Sequence, residues 1–170
     1  LRIAKELGVD THKRDEEFCT TKCSGSNFMV NLAEYVTTEF FLYSTCVTPL
    51  VPFELIEKCV SNIDKIDESY RDCIVLANIS KNFMWDKNKP INYDLENAPP
   101  SQELPEYYIP NFACCLIKTV NIIKYKNVIG KKPLFIKTDM ISGIDIDENS
   151  DFITAELLYK NNILNENICK

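Results

Sequence analysis

Cysteine is the residue type with the most chemistry to offer in this 170-residue chain. It occurs eight times, as Cys19, Cys23, Cys46, Cys59, Cys73, Cys114, Cys115 and Cys169. An even number spread over the whole chain is the pattern of a disulfide framework formed in an oxidising compartment. The alternatives are a metal centre or free thiols. Zinc asks for paired C-x-x-C knuckles or for histidines at fixed spacing, whereas here no C-x-x-C pair occurs and the only histidine is His12. Four disulfides are therefore expected. Cys114 and Cys115 are neighbours. A bond between adjacent cysteines is strained, so each is expected to reach a different partner element.

A second constellation is acidic. Asp145, Asp147, Asn149 and Glu156 stand at positions one, three, five and twelve of an EF-hand calcium loop. Ser150 occupies position six, where the sharp turn needs glycine, and no second copy of the loop exists. The expectation is an acidic loop running into a helix N-terminus, with a calcium-binding module kept as a third functional reading. Nucleophilic catalysis needs a base beside its nucleophile. His12 is set among Asp10, Lys13, Arg14 and Asp15 and reads as solvated. Four scattered glycines cannot build a phosphate-cradling loop. No catalytic residue and no cofactor is expected. Asn78, Ile79 and Ser80 form a glycosylation sequon.

The elements that would position these residues read as helices. Residues 111–125 carry Phe112, Leu116, Val120 and Ile123 at helical spacing after Pro110, with Asn111 as N-cap. This is expected to be a core helix to which other elements are stapled. Residues 28–46 show a stripe of Met29, Leu32, Val36, Phe40 and Tyr43, and their length favours helix over strand. Further helices are expected over 1–9, 53–66, 70–85 and 151–161, the last capped by Ser150, with a short helix or strand over 134–141. Between them, residues 86–110 hold Pro90, Pro99, Pro100, Pro105 and Pro110 and read as an extended crossing segment. The expected fold is an all-α, disulfide-stabilised bundle of about five to six helices. It forms a single domain over 1–170, or two halves, 1–86 and 111–170, joined by 87–110.

With 45% hydrophobic residues the chain can bury a real core, and a net charge of −6 argues against nucleic acid as a partner. No apolar run is long enough to span a membrane. A start at Leu1 fits a mature secreted protein whose leader has been removed.

Tyr43 precedes Cys46, and Tyr70 precedes Cys73, by three residues, each after an upstream cysteine, Cys23 and Cys59. Paired Cys…Tyr-x-x-Cys units of this kind resemble the bicycle family of aphid salivary effectors. The resemblance implies a saliva protein delivered into plant tissue, with no enzymatic site. The spacing of Cys19 and Cys23 is also similar to that of the second and third cysteines of insect odorant-binding proteins, which implies a helical box around a small apolar ligand. The expected function is a secreted, extracellular, non-enzymatic effector that recognises a host macromolecule through its surface. Tyr107 and Tyr108 are the candidate interface anchors. The alternative is a carrier of a small apolar ligand.

Overall fold

The computed structural model describes residues 1–67 and 69–161. Its centre is a four-stranded sheet, not a helix. The strands are β1 (Phe40–Tyr43), β2 (Cys73–Ser80), β3 (Tyr107–Lys118) and β4 (Pro133–Lys137), in the order β1-β3-β2-β4. β3 is antiparallel to both β1 and β2, and β2 is parallel to β4. Thus β1, β2 and β4 share one direction and place their carboxyl ends at one edge, where β3 begins. The helices are α1 (Arg2–Glu6), α2 (Gly25–Glu34), α3 (Phe53–Val60), α4 (Thr119–Tyr125) and α5 (Asn149–Lys160).

Burial explains why strands win where helices were expected. Ile74, Val75 and Leu76 are each fully buried, so β2 is covered on both faces. A strand buried on both faces reads as a continuous apolar run and loses the alternation that marks a half-exposed one. Residues 70–85 therefore carry a strand instead of the expected helix. Residues 111–125 divide between the end of β3 and α4, and residues 28–46 between α2 and β1. The all-α expectation is overturned. Of the expected helices, those over 1–9, 53–66 and 151–161 hold in shortened or shifted form, as α1, α3 and α5. The sheet draws strands from both sides of the proline-rich 86–110 segment.

Two apolar layers cover the sheet. Ile74, Leu76, Cys114, Leu116 and Ile136 face α3, meeting Cys59, Leu55 and Ile56. Cys73, Val75, Cys115, Ile117 and Phe135 face the other way, toward Met29 and Ala33 of α2 and Ile122 of α4. Cys114 and Cys115 do reach different partners, because successive residues of a strand point to opposite faces. They do so as thiols. The cysteines among the described residues are free, and Cys59, Cys73, Cys114 and Cys115 are buried core volume. Buried free cysteine behaves as a small hydrophobe. The disulfide framework is thereby corrected, and with it the physical support for a disulfide-tied secreted effector. Cys169 lies outside the described residues.

One buried carboxylate organises the amino end of the sheet. Asp72 is 2% exposed and accepts hydrogen bonds from the Lys131 and Lys132 amides, both at 2.8 Å. Gly130 packs directly on it, since an added Cβ there would lie 2.2 Å from Asp72 Oδ1. This holds the turn that leads into β4.

Burial, the largest influence, pushes the Cys73 and Cys115 thiols up from 9.0 to about 12. Between those values the unfolded chain binds fewer protons than the folded one. Stability is thus fully present below pH 9 and falls as pH rises toward 12. Urea denaturation at rising alkaline pH is expected to show this decline. In a pulse of iodoacetamide at neutral pH, the exposed Cys19 and Cys46 should alkylate first. The four buried thiols should label only on unfolding, as read by peptide mapping; early labelling of Cys114 would contradict the packing described.

Candidate active site

The carboxyl ends of co-directional strands are where open α/β sheets hold their ligands, and here that edge is elaborately built. Asn78 near the end of β2, Asn111 in β3 and Thr138 just after β4 meet in a polar knot. Asn111 Nδ2 donates to Asn78 Oδ1 at 2.9 Å and to Thr138 Oγ1 at 3.1 Å. The Thr138 hydroxyl also donates to Asn78 Oδ1. The Asn111 side-chain oxygen accepts from the Ala113 amide at 3.1 Å. Gly143 lies against this knot, and a Cβ there would be 2.1 Å from Asn78 Oδ1 and 2.5 Å from Nδ2. Asn78, the asparagine of the sequon, is half-buried, and its side-chain oxygen is engaged in this knot.

Asn111 also opens a bulge. Val75 pairs with Cys115 but Ala77 pairs with Pro110, so β3 spends extra residues opposite Leu76. Inside the bulge Phe112 adopts φ 55°, in the left-handed region. That is rare for a bulky side chain and costs about 1–3 kcal/mol. Lys126 shares this φ but follows the end of α4, an ordinary place for it.

The bulge anchors the loop after β1. Ser44 Oγ donates to the Ala113 carbonyl at 2.7 Å, and the Thr45 amide donates to the Phe112 carbonyl at 3.3 Å. The same loop then receives the acidic segment, with the Ile146 amide donating to the Val47 carbonyl at 2.9 Å. Ile144 and Ile146 are half-buried, whereas Asp145 and Asp147 are exposed. Half-buried and exposed residues thus alternate here, and both carboxylates flank the residue whose amide Val47 holds.

The calcium-loop geometry does not form. Asn149 begins α5, and Glu156 lies inside it, paired with Lys160 at 2.8 Å. Glu148 is the N-cap of α5, and Asp151 accepts from the Asp147 and Glu148 amides at 3.1 and 2.8 Å as its capping-box partner, so Ser150 does not take the role expected of it. Among the described residues no three carboxylate, cysteine or histidine side chains are placed to hold a metal ion by themselves. What remains is the pair Asp145 and Asp147. Burial, then the negative charges of Asp147 and Asp151, push the Asp145 carboxyl above its ordinary value.

A groove of about 250 Å³ runs beside the edge, lined by Lys58, Lys137, Thr138 and Asp139 with Pro52, Glu54 and Leu55. Burial raises the Asp139 carboxyl, but hydrogen bonds from the Ser142 hydroxyl and the Ser142 and Ile141 amides outweigh it and hold it below the usual range.

The expected interface tyrosines are part of the sheet. Tyr107 pairs with Ser80, and Tyr108 stacks on Phe135 with centroids 4.8 Å apart. His12 is exposed and packs on the Tyr35 ring. The knot residues Asn111 and Thr138 and the strained Phe112 were not singled out as site residues. The one sequence signal for them is Asn111 itself, read as a cap, which does cap an amide, but in a bulge.

No protein-family model and no curated protein sequence matches the chain. Among solved structures it is similar to the 4-diphosphocytidyl-2C-methyl-D-erythritol synthase of Anaerococcus prevotii. The TM-score is 0.58 at 13% identity, over 82% of this chain and 68% of that one. It is also similar to the bifunctional IspDF of Campylobacter jejuni, with TM-score 0.54 and 16% identity, over 75% of this chain and 33% of that one. These are likenesses of fold. They replace the expected non-enzymatic helical effector, and the helical-box carrier, with an α/β architecture found in a synthase. No helix among the described residues is long and apolar enough to cross a membrane.

Two substitutions test the geometry. Gly143→Ala should destabilise the protein by about 1–3 kcal/mol, the range for forcing volume into a packed site. Phe112→Gly should be more stable than Phe112→Ala by about 1 kcal/mol, because only glycine is at ease in the left-handed region. Urea midpoints measure both; the ordinary Ala-over-Gly ranking at residue 112 would show that the bulge is not strained.

Proposed function

We propose that this chain carries a nucleotidyl-transfer site at the carboxyl edge of its sheet, with Asp145 and Asp147 holding a divalent cation on a nucleoside triphosphate. The observation that carries the reading is the carboxylate pair itself, flanking the residue whose amide Val47 holds, in a fold similar to that of a diphosphocytidyl-forming synthase. Cytidine triphosphate is accordingly the first nucleotide to test.

The residues fit magnesium better than calcium. Calcium wants six to eight oxygen ligands, whereas magnesium is commonly held by one or two carboxylates together with substrate phosphates. Two carboxylates without a third protein ligand suit the second pattern. Burial, and after it the charge of Asp147, raises the Asp145 carboxyl, and a cation held by the pair would offset the second of these. When bound, such a cation supplies charge neutralisation on the triphosphate.

In the transfer, an oxygen nucleophile of the acceptor attacks the α-phosphorus. The bond from that phosphorus to the bridging oxygen breaks, pyrophosphate leaves, and the acceptor proton passes to solvent or a base. The chain's part is to orient the triphosphate. Asp145 and Asp147 fix its metal-bearing side, and the Asn78–Asn111–Thr138 knot keeps the strand ends in register with them. Lys58 and Lys137 line the adjoining groove, where they stand beside Glu54 and Asp139.

Calorimetry with CTP and Mg²⁺ tests the reading. Wild type should bind, EDTA should abolish binding, and Asp145→Asn or Asp147→Asn should each weaken it at least about tenfold, as expected for a charge-paired ligand. Protons compete with the cation at Asp145, whose carboxyl is raised above 3.8. Affinity should therefore be full above that raised value and be lost on acidification sooner than an ordinary carboxylate would allow. Absence of CTP binding, or binding indifferent to both substitutions, would sink the proposal.

A further inference from the structure

Phe112 sits in an expensive conformation without an evident structural return. Its φ of 55° is one that glycine or asparagine would adopt with less strain. The residues on either side do have structural reasons to be where they are. Asn111 is 6% exposed and ties β2 to β4, and Ala113 is fully buried in the core. The Phe112 side chain is 37% exposed and belongs to neither apolar core layer. Its structural contribution comes from the backbone, whose carbonyl accepts from the Thr45 amide and hydroxyl. A glycine would provide that carbonyl equally well. Bulges beside functional sites commonly serve to re-aim a side chain, and strained residues cluster where a ligand is met.

We infer that the Phe112 ring is the platform on which the base of the nucleotide stacks. The inference rests on the nucleotidyl-transfer reading and adds the residue that recognises the organic end of the ligand. The position suits the task. The Phe112 carbonyl binds Thr45, two residues before Val47, which in turn holds Ile146 between Asp145 and Asp147. Two backbone hydrogen bonds and the short chain between them thus link the ring's backbone to the segment whose carboxylates would hold the phosphates. The choice of a base follows from chemistry. An exposed aromatic face recognises flat rings through stacking and gives little to phosphate. The product named for the first similar structure contains one flat ring, that of the cytidyl group, since erythritol is an open chain.

The test separates ring from backbone by comparing Phe112→Gly, Phe112→Ala and Phe112→Tyr in titrations with CTP and Mg²⁺. Glycine and alanine both remove the ring but differ in how they tolerate the left-handed backbone, while tyrosine keeps the ring. Loss of a stacked base corresponds to about a tenfold fall in affinity. The expected result is that fall in both Phe112→Gly and Phe112→Ala, with Phe112→Tyr binding like wild type. Wild-type affinity in Phe112→Gly would overturn the platform while leaving the nucleotidyl-transfer reading intact. Weakening in Phe112→Ala alone would overturn it in favour of a purely backbone role. If wild type binds no CTP, the transfer reading fails and the platform fails with it.

Discussion

The oxygen of one carboxamide, Asn78 Oδ1, carries much of this architecture. It accepts from Asn111 and from Thr138 and so joins β2 to its neighbours on both sides. The backbone ladder alone would not fix this edge, because the β2–β3 register is interrupted between Val75 and Ala77. Where a ladder is broken by a bulge, its polar groups need other partners. Asn111 supplies them, using its amide group toward Asn78 and Thr138 and its oxygen toward Ala113. A half-satisfied knot would be worse than an apolar one, since each buried polar group left alone costs about 1–3 kcal/mol. The groups are few and mutually dependent, and the fit of Gly143 against them leaves no slack.

From this knot, order spreads to the acidic segment through backbone contacts. The bulge holds the loop after β1, and that loop holds Ile146. Asp145 and Asp147 take no part in the core, yet their carbon framework is placed by the hydrogen bond that the Ile146 amide donates to the Val47 carbonyl. The side chain of Ile146 helps line an apolar hollow with Leu50, Phe152 and Ala155, which fixes the segment from its other side. Two like charges are thereby held close on an edge where the surrounding chain gives them little relief. Burial, and after it the charge of Asp147, raises the Asp145 carboxyl at this edge.

Some of this was legible in the sequence. The first helix, the helix that begins at Phe53, the last helix without its expected Ser150 cap, and the separate destinations of Cys114 and Cys115 all follow from local rules. The sheet did not, and the reason is physical. Ile74, Val75 and Leu76 in β2 are buried on both faces, as are Cys114, Cys115, Leu116 and Ile117 in β3. Continuous burial removes the period-two signal, and the remaining apolar residues can be fitted to a helical period. The cysteines misled for a related reason. An even count suggests pairing, but four of these thiols serve as small core side chains. Asp145 and Asp147 were found by residue type, under the wrong geometry, because the start of α5 at Asn149 consumes the positions a calcium loop would need. Thr138 and Phe112 gave no signal at all. Their roles depend on strands distant in the chain being brought together, and spacing along the chain does not report that.

The distribution of strain separates what the fold needs from what it tolerates. Gly143 is placed where no Cβ fits, and Lys126 turns left-handed where a helix ends, so residue type and backbone agree at both positions. At Phe112 they disagree. Sequences are on the whole locally consistent with their folds, and the exceptions concentrate where a demand other than stability operates. The disagreement at Phe112 is linked through two backbone hydrogen bonds and the short chain between them to the segment that carries Asp145 and Asp147. A strained backbone and a raised carboxyl thus fall on a single edge of the sheet, while the opposite edge, organised by Asp72, satisfies its carboxylate with backbone amides. That asymmetry supports the proposed placement of a site at the carboxyl ends of β1, β2 and β4, beside the likeness of fold.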